Sequence, residues 1–364
     1  MNTGSAPDPG FVAAVQANCD IADAQHAADL PLCSFLLQMR EYYRWQRGLP
    51  FDAALPRDAL GAWLAEREAA WQRLEGRSPA PLPLDGHRFD PFDLDAINAR
   101  LRPRGWLYGA GWAPLQRPVF FVAALDRVWR EPEGSIVMHA GREFARGLLA
   151  PPATLQGGTT IVLRRESIAR WLWERFEAFS LRRADGPFKA VADAHALDDP
   201  AAFVAALPGL VDLAATMMLE HEHGERQVGR ELGPGWSDLR VAQADRRAAL
   251  ALHAVRDLLA DCGHTVPTLL AEGPAAALHL WFASFDGLRQ ELFPGLAAAG
   301  AAWRQGDGGA ALRAGCVHGQ RHFGRLASAL LAEPEPGRVA GLLASEAAIC
   351  GWADARDGRR RPDS

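Results

Sequence analysis

Residues 209–231, GLVDLAATMMLEHEHGERQVGRE, decide how this chain is organised, because they combine a long helical pattern with a concentration of charge. The segment Glu220–Glu225 contains five ionisable side chains in six residues. At about 100° per residue, His221 and Glu225 fall within the apolar stripe of the helix, whereas His223 is expected to point to the opposite side. The stripe consists of Leu210, Ala214, Met217, Met218 and Val228. Burying an imidazole and a carboxylate costs several kcal/mol unless each has a partner, so the pattern predicts an interior polar site.

The half of the chain that contains this helix is predicted to be helical throughout. From about Pro187 onward, apolar residues recur at helical spacing between Gly and Pro residues, with almost no strand pattern. The predicted helices are residues 199–206, 209–231, 244–261, 275–291, 295–305, 309–332 and 337–350. Connections this short favour a helical bundle, and the absence of a fixed repeat disfavours a solenoid.

The first half of the chain combines helices with strands. The predicted helices are residues 11–27, 32–47, 57–75 and 166–179, with a short one that ends at Leu101. The predicted strands are residues 106–109, 118–128, 135–139 and 159–163. The turn sequence Glu131-Pro132-Glu133-Gly134 lies between the second and third strands, so we expect these two to form a hairpin.

These patterns define an expected fold class and its boundaries. We expect an α+β protein with an N-terminal helical plus antiparallel β-meander domain at residues 1–185. A C-terminal all-α helical bundle is expected at residues 186–355, and a disordered tail at residues 356–364. A chain of 364 residues is long enough for two domains that each bury a core.

Composition and charge are those of a globular chain without a general affinity for polyanions. Hydrophobic residues make up 49% of the sequence, charged residues 23%, and the formal net charge is -5. This charge argues against general nucleic-acid binding. An anionic ligand stays open, because Lys189 is the only lysine and arginine is the better partner for carboxylate and phosphate groups.

The N-terminus and the cysteines indicate the expected compartment. The chain has neither a leader pattern nor a run of about 20 apolar residues, so we expect a cytoplasmic protein that does not bind a membrane. The five cysteines are scattered without Cys-x-x-Cys spacing. This pattern favours reduced thiols and excludes a zinc ribbon.

Several familiar catalytic motifs are absent from the sequence. Gly109-Ala110-Gly111 is followed by Trp112-Ala113-Pro114, and a proline there does not suit a helix N-terminus that holds a pyrophosphate. We therefore expect no nucleotide cofactor. The sequence also lacks a Walker loop, a Gly-x-Ser-x-Gly elbow and a His-Glu-x-x-His motif, which disfavours hydrolases of those classes.

Acidic and imidazole side chains on successive C-terminal helices are candidate metal ligands. Three pairs are spaced i, i+4, which places both members of each pair on one helix face. The expected ligands are His221, Glu225, Asp257, Asp261, His318 and His322. Such ligands, projecting inward from several helices, build di-iron and di-manganese bundles, so we expect a transition metal, namely iron, manganese or zinc. Glu220 and His223 have the Glu-x-x-His spacing of such bundles, but they lie off the apolar stripe and are left out of this set.

Each pair also has a purely structural interpretation. The two aspartates fit a solvated helix face, and the two later histidines fit a surface. His221 and Glu225 fit a buried pair joined by an arginine, which would only tie helices together. The sequence leaves open whether this pair meets a metal or an arginine.

A second cluster of polar residues lies near the N-terminus. Cys19, Asp23 and His26 are spaced so that a helix places them on one side, and Arg40 with Tyr43 could bind an anion. More often such residues cap helices and join layers, and the set lacks a strict ligand spacing. Its role stays open.

Several strings in the chain resemble segments of an uncharacterised bacterial protein family, a domain of unknown function with N-terminal and C-terminal parts. These strings are residues 18–27, Met39–Trp45, Arg142–Arg146, Ala150–Pro152, Arg164–Ser167 and Asp257–Asp261. The resemblance covers most of the chain and implies no activity. It also implies a central segment resembling His-Glu-Leu-Gly-Glu, from which His223 departs, so a joint role of His221 and His223 is not implied.

Two hypotheses about function follow. The first is a metal-dependent helical-bundle enzyme in which the metal activates water or dioxygen. The second is a non-catalytic binding or assembly protein with a buried His-carboxylate network, acting on an unknown small molecule or protein. In a variant of the second, the N-terminal domain binds an anion through Arg40, Arg142, Arg164 and Arg165.

Overall fold

The computed structural model describes residues 7–30, 32–183, 185–333 and 335–352, so the predicted tail at 356–364 lies outside the described residues. The protein is α+β, with a β-sheet in its N-terminal part and a helical C-terminal part, as predicted. The chain forms two compact units. Unit 1 comprises the chain up to Gln156, Thr160–Trp173 and Asp199–Leu207, and unit 2 comprises Gly157–Thr159, Glu174–Asp198 and the chain from Pro208.

Unit 1 begins with three helices and a small hairpin. These are α1 (Pro9–His26), α2 (Leu32–Gln46), α3 (Arg57–Gln72), β1 (Leu82–Leu84) and β2 (His87–Phe89). The Asp8 carboxylate caps α1 by accepting a hydrogen bond from the Gly10 N–H at 2.8 Å. Phe11 and Val15 of α1 are buried in a core shared with strand residues such as Phe120. The amphipathic spacing of α1 therefore attaches it to the sheet.

A short helix and a five-stranded sheet complete most of unit 1. They consist of α4 (Leu94–Leu101), β3 (Trp106–Ala113), β4 (Arg117–Arg130), β5 (Ile136–Arg146), β6 (Ala153–Gln156) and β7 (Thr160–Arg164). The strand order is β3-β4-β5-β7-β6, and β3, β4 and β5 form the predicted antiparallel meander. The predicted hairpin is confirmed, because Arg130 pairs with Ile136. Beyond it, β7 pairs parallel with β5 and antiparallel with β6, an order that strand patterns alone do not predict.

The helices of the second half follow in a nearly continuous series. They are α5 (Arg165–Arg182), α6 (Pro187–Ala194), α7 (Pro200–Leu232), α8 (Pro234–Val241), α9 (Arg246–Ala260), α10 (Val266–Ala271), α11 (Ala275–Ser284), α12 (Gly287–Leu292), α13 (Pro294–Arg304), α14 (Ala310–Ala332) and α15 (Pro336–Ala344). The predicted helix 275–291 is in fact two helices, since the chain leaves helical geometry at Phe285 and Asp286. Unit 2 is helical, as the spacing predicts.

Helix α7 is a single helix of 33 residues, whereas the sequence predicts two helices separated at Pro208. Pro208 has no N–H to donate to the carbonyl of Val204, which weakens the helix locally. Because Pro208 is exposed, water can bond to that carbonyl, and the helix continues. In length and composition α7 satisfies the criteria for a membrane-spanning helix, contrary to the expectation of no such segment. Core helices satisfy the same criteria, and 39% of its most apolar window is buried.

Helices α9 and α10 are joined by one turn of π-helix, Asp261–Thr265, which we call the π segment. The Val266 N–H bonds to the carbonyl of Asp261, five residues earlier. Pro267 accounts for the wide turn: in a regular α-helix its ring would clash with the carbonyl of Gly263. The predicted helix 244–261 therefore ends in a widened turn. Two side chains of this turn, Asp261 and His264, contact residues of α7.

Candidate metal centre

Small residues bring α7 close to the end of α9. A Cβ atom placed on Gly224 would lie only 2.9 Å from the carbonyl oxygen of Ala260, so only glycine fits this approach. The ionisable residues on either side of Gly224 are thus brought against α9 and the π segment. Two separate groups of three potential ligands result.

The first group, which we call the His221 trio, consists of His221, Glu225 and Asp257. One donor atom from each of these side chains lies within 4.8 Å of the others. His221 Nε2 is 3.5 Å from Glu225 Oε1, and its Nδ1 is 2.9 Å from Asp261 Oδ1. The structure therefore brings four of the six predicted ligands together.

Two arginines already bond to carboxylates here, one to Glu225 of the trio and one to the neighbouring Asp261. Arg256 Nη2 is 2.6 Å from Glu225 Oε1, and Arg289 Nη1 is 3.1 Å from Asp261 Oδ2. Trp281 Nε1 donates to Asp261 Oδ1 at 3.0 Å, so both oxygens of this buried carboxylate have donors. The pair that the sequence singles out meets arginine, and the His221 trio is the centre of a buried ion-pair network.

The network shifts the pKa values of its members in opposite directions. Burial opposes a charge on Glu225, but Arg256 and His221 hold its pKa well below the usual range. Burial, reinforced by Glu225, raises the pKa of Asp257 to about 7 and that of Glu222 to about 8. Glu222 Oε2 is buried and has no hydrogen-bond partner among the described residues. Burial lowers the affinity of His221 for a proton, yet the Asp261 carboxylate raises its pKa well above the ordinary value.

The second group, which we call the Glu220 trio, consists of Glu220, His223 and His264. Their donor atoms also lie within 4.8 Å of one another. Glu220 Oε2 is 2.9 Å from His264 Nε2 and 3.6 Å from His223 Nδ1, and the two imidazole rings meet edge to face. The neighbouring imidazoles of His223 and then His264 lower the pKa of Glu220 to about 2. The interactions that lower this pKa all come from the two imidazoles.

The sequence pattern leaves this second group out. The helical wheel correctly separates Glu220 and His223 from the stripe of His221, but the π segment packs against that side as well. His264 carries no signal in a regular helical pattern, because its position depends on the widened turn before Pro267. The Glu-x-x-His spacing of Glu220 and His223 was the available signal.

The two predicted ligands His318 and His322 belong to neither of these two groups. His318 is exposed on α14, and His322 Nε2 lies 3.2 Å from the carbonyl oxygen of Ala348. Helix α14 faces the π segment with its small residues instead: a Cβ on Gly319 would lie 2.7 Å from Cys262 Sγ. The two histidines therefore lie away from that contact.

The N-terminal residues Cys19, Asp23 and His26 have separate partners. Cys19 Sγ donates to the Phe120 carbonyl at 3.2 Å, Asp23 Oδ2 accepts from the Leu148 N–H at 2.7 Å, and His26 pairs with Asp29. They do not form a common donor set, and they join layers of unit 1.

The four arginines considered for an anion site are also dispersed in their contacts. Arg40 Nε is 3.1 Å from Glu41 Oε1, and Arg164 Nε is 2.8 Å from Glu143 Oε1. The Arg142 guanidinium lies over the ring of Phe144. Arg165 follows directly on β7, at the start of α5.

A cleft of about 310 Å³ adjoins the Glu220 trio. His264 and Gly263 of the π segment line it, together with Gln227 and Glu231 of α7 and Gln320 and Arg321 of α14. Buried apolar groups such as Val228 and Leu259 also contribute to its wall. An imidazole of the trio is therefore accessible from a cavity large enough for a small molecule.

The fold and this centre define an α+β protein with a helical histidine-carboxylate cluster in its C-terminal unit. The chain belongs to a family of unknown function, DUF6866, whose N-terminal domain matches residues 10–164 and whose C-terminal domain matches residues 169–345. This confirms the resemblance to a two-part family that the sequence strings indicate. Neither a curated protein nor a solved structure matches the chain.

Proposed function

We propose that the protein is a metal-dependent enzyme that binds one divalent transition-metal ion through Glu220, His223 and His264. The convergence of these three donor atoms within 4.8 Å carries the proposal. Two imidazoles and one carboxylate suit iron, manganese or zinc, and three protein ligands leave coordination positions open. A metal held in this way would act as a Lewis acid and activate water or dioxygen.

The Glu220 trio is favoured over the His221 trio because of charge. A metal at the His221 trio would have to displace the guanidinium of Arg256 from Glu225, and it would lie near a second cation, Arg289. The Glu220 carboxylate instead lies beside two imidazoles, at 2.9 Å from His264 and 3.6 Å from His223. An imidazolium that releases its proton becomes a neutral ring whose free nitrogen can bind a metal. The ligand set proposed here therefore replaces the set expected from spacing alone.

One metal ion is proposed rather than two. Dinuclear carboxylate centres in helical bundles use carboxylates from several helices around both ions. The two trios share no carboxylate, and each is on its own side of α7. Glu220 and His264 therefore support a mononuclear centre, with the cleft beside His264 as the place where a small polar substrate binds.

Metal content after reconstitution tests this proposal. Protein stripped by a chelator is incubated anaerobically with Fe(II), Mn(II) or Zn(II), and the bound metal is measured by mass spectrometry. We expect about one ion per chain for at least one of these metals. Glu220→Gln and His264→Gln should each weaken the affinity at least about 100-fold, because loss of a direct ligand exceeds the effect of losing an outer-shell partner.

Two control variants make the result specific. His318→Gln removes an exposed histidine of α14 and should keep full metal binding. Glu225→Gln removes a carboxylate of the His221 trio and should also keep it. Absence of metal with all three ions, or loss in Glu225→Gln but not in Glu220→Gln, would contradict the proposed ligand set.

A second measurement separates an enzyme from an assembly protein. In the Co(II)-loaded protein, addition of azide should change the visible absorption spectrum, because an exogenous ligand enters an open coordination position. A closed structural centre would leave the spectrum unchanged. In that case the non-catalytic alternative, which the ion pairs around His221 and Asp261 favour, would become the better interpretation.

A further inference from the structure

Arg146, at the end of β5 in unit 1, is a buried cation without a carboxylate partner among the described residues. Its exposed fraction is 2%. The guanidinium carbon lies 4.9 Å from the ring centroid of Trp45 and 5.5 Å from that of Tyr42. Aromatic faces stabilise a cation, but they do not satisfy its in-plane N–H groups.

Two nitrogen atoms of Arg146 that make no hydrogen bond to the described residues lie on the same edge of the guanidinium. Nε and Nη2 are both buried, and neither has a hydrogen-bond partner among the residues that the structure describes. These two N–H groups point in parallel and form the fork that matches the two oxygens of a carboxylate or phosphate group. The edge best suited to an oxyanion is therefore the edge that the protein itself leaves without an acceptor.

Further arginines concentrate positive charge on the chain segment just after β5. The carbonyl oxygens of Leu149, Ala150 and Pro151 accept hydrogen bonds from Arg117, Arg170 and Arg164, at 3.0, 3.0 and 3.5 Å respectively. Nε of Arg117 and Nη2 of Arg164 are also buried without a hydrogen-bond partner among the described residues. Arg164 also has the Glu143 carboxylate as an ion-pair partner, whereas the Leu149 carbonyl supplies Arg117 with a hydrogen bond but no negative charge.

The carboxylates of this region do not balance that charge. Glu143 Oε1 is occupied by Arg164 and by the Ser167 hydroxyl, both at 2.8 Å. Burial raises the pKa values of Asp23 and Glu166 to about 7, so near neutral pH these two carboxyl groups are partly uncharged. A buried guanidinium without a counter-charge is costly, and water alone would satisfy its N–H groups but not its charge.

We propose that unit 1 binds a small oxyanion, a carboxylate or a phosphate group, on the Nε–Nη2 edge of Arg146. The site is independent of the proposed metal centre, because all its residues belong to unit 1. Because Arg146 is buried, we expect the bound anion to dissociate slowly and to survive purification.

Release of the anion from denatured protein is the direct test. The natively purified full chain is desalted and unfolded in guanidinium. Released phosphate is measured by ion chromatography and small carboxylates by mass spectrometry, which separates the two sources. Detection of about one oxyanion per chain is the expected result. The absence of both phosphate and carboxylates would overturn the proposal.

A matched pair of variants assigns the anion to Arg146. Arg146→Lys keeps the charge but loses the fork of two parallel N–H groups. The variant should therefore need a roughly tenfold higher concentration of phosphate or acetate than the wild type for the same stabilisation. Arg142→Gln removes an exposed arginine from the same strand and should respond like the wild type. Thermal unfolding is followed with chloride at equal ionic strength as the reference. Equal responses of the wild type and Arg146→Lys would show an adventitious ion and contradict the site.

Discussion

The two sides of α7 carry the same residue types within one helical turn, yet they meet different neighbours. On one side Glu225 is 2.6 Å from Arg256, and on the other Glu220 is 2.9 Å from His264. The histidines are similarly shielded, with side-chain exposures of 23% for His221 and 16% for His223. Burial therefore does not separate the two sides. The charge of the opposing residue decides which side forms an ion-pair network, and it is the reason why we propose the other side as the cation site.

The largest effect should follow from breaking the network on the His221 side. Asp261→Asn leaves both His221 and Arg289 without their common anion and should lower the free energy of unfolding by about 3–5 kcal/mol. Urea denaturation measures this difference. Asp286→Asn is the control, because its pair with Arg175 is exposed and should contribute less than about 1 kcal/mol. A loss below about 1 kcal/mol for Asp261→Asn would remove the distinction between the two sides.

The next largest effect should be the gain in stability on metal addition, which we expect to depend on the Glu220 side of α7 and not on the His221 side. At a free metal concentration 100 times the dissociation constant, the wild type should gain about 2.7 kcal/mol of stability. Glu225→Gln should keep this gain, whatever its own baseline stability, because it leaves the Glu220 trio intact. Glu220→Gln should lose it. A gain that disappears in Glu225→Gln and persists in Glu220→Gln would reverse the comparison.

The buried Glu222 should give a smaller and pH-dependent effect. Its folded pKa is raised from 4.5 to about 8, so the folded state holds a proton that the unfolded chain releases. The resulting destabilisation is absent below pH 4.5, grows as the pH rises to about 8 and is constant above that. Glu222→Gln should therefore gain stability relative to the wild type by more than about 1 kcal/mol between pH 5 and pH 9. A pH-independent difference between the two proteins would contradict this pKa shift.

The smallest effect is expected for Glu220 in acid. Its folded pKa is lowered to about 2, so its stabilising contribution is complete above the unfolded value of 4.5 and is lost as the pH falls through 2. In metal-free protein, Glu220→Gln should flatten the stability curve only in this acid range. Thermal unfolding measured at steps between pH 2 and pH 6 tests it. A difference between the two proteins that still varies with pH above pH 5 would point to another role of Glu220.

Helical periodicity predicts the side chains that meet in the His221 network, but not the Glu220 trio. The i, i+4 spacings of His221 with Glu225 and of Asp257 with Asp261 indicate two faces, and these two faces do meet. Spacing within a helix does not predict which residues of other helices bond to these two faces. Arg289 reaches Asp261 from a helix that the sequence predicts as part of a longer one, so its contact could not be anticipated.

The differences between the ligand set expected from spacing and the groups seen in the structure originate in packing between helices. His318 and His322 satisfy the same i, i+4 rule, but α14 turns its small residue Gly319 toward the π segment. His264 breaks the rule because Pro267 widens the turn that holds it. Likewise, the parallel pairing of β7 with β5 is a contact between strands distant in sequence, which alternation within one strand does not specify.

The π segment also suggests how relatives of this protein could be compared. A turn with i→i+5 bonds accommodates one residue more than an α-helical turn, so a chain shorter by one residue between Ala260 and Val266, and without a proline at the position of Pro267, could join α9 and α10 as one regular helix. Such a deletion would preserve the packing of both helices and still withdraw His264 from Glu220. The length of this turn, rather than the identity of any single ligand, would then distinguish family members that keep the centre from those that have lost it.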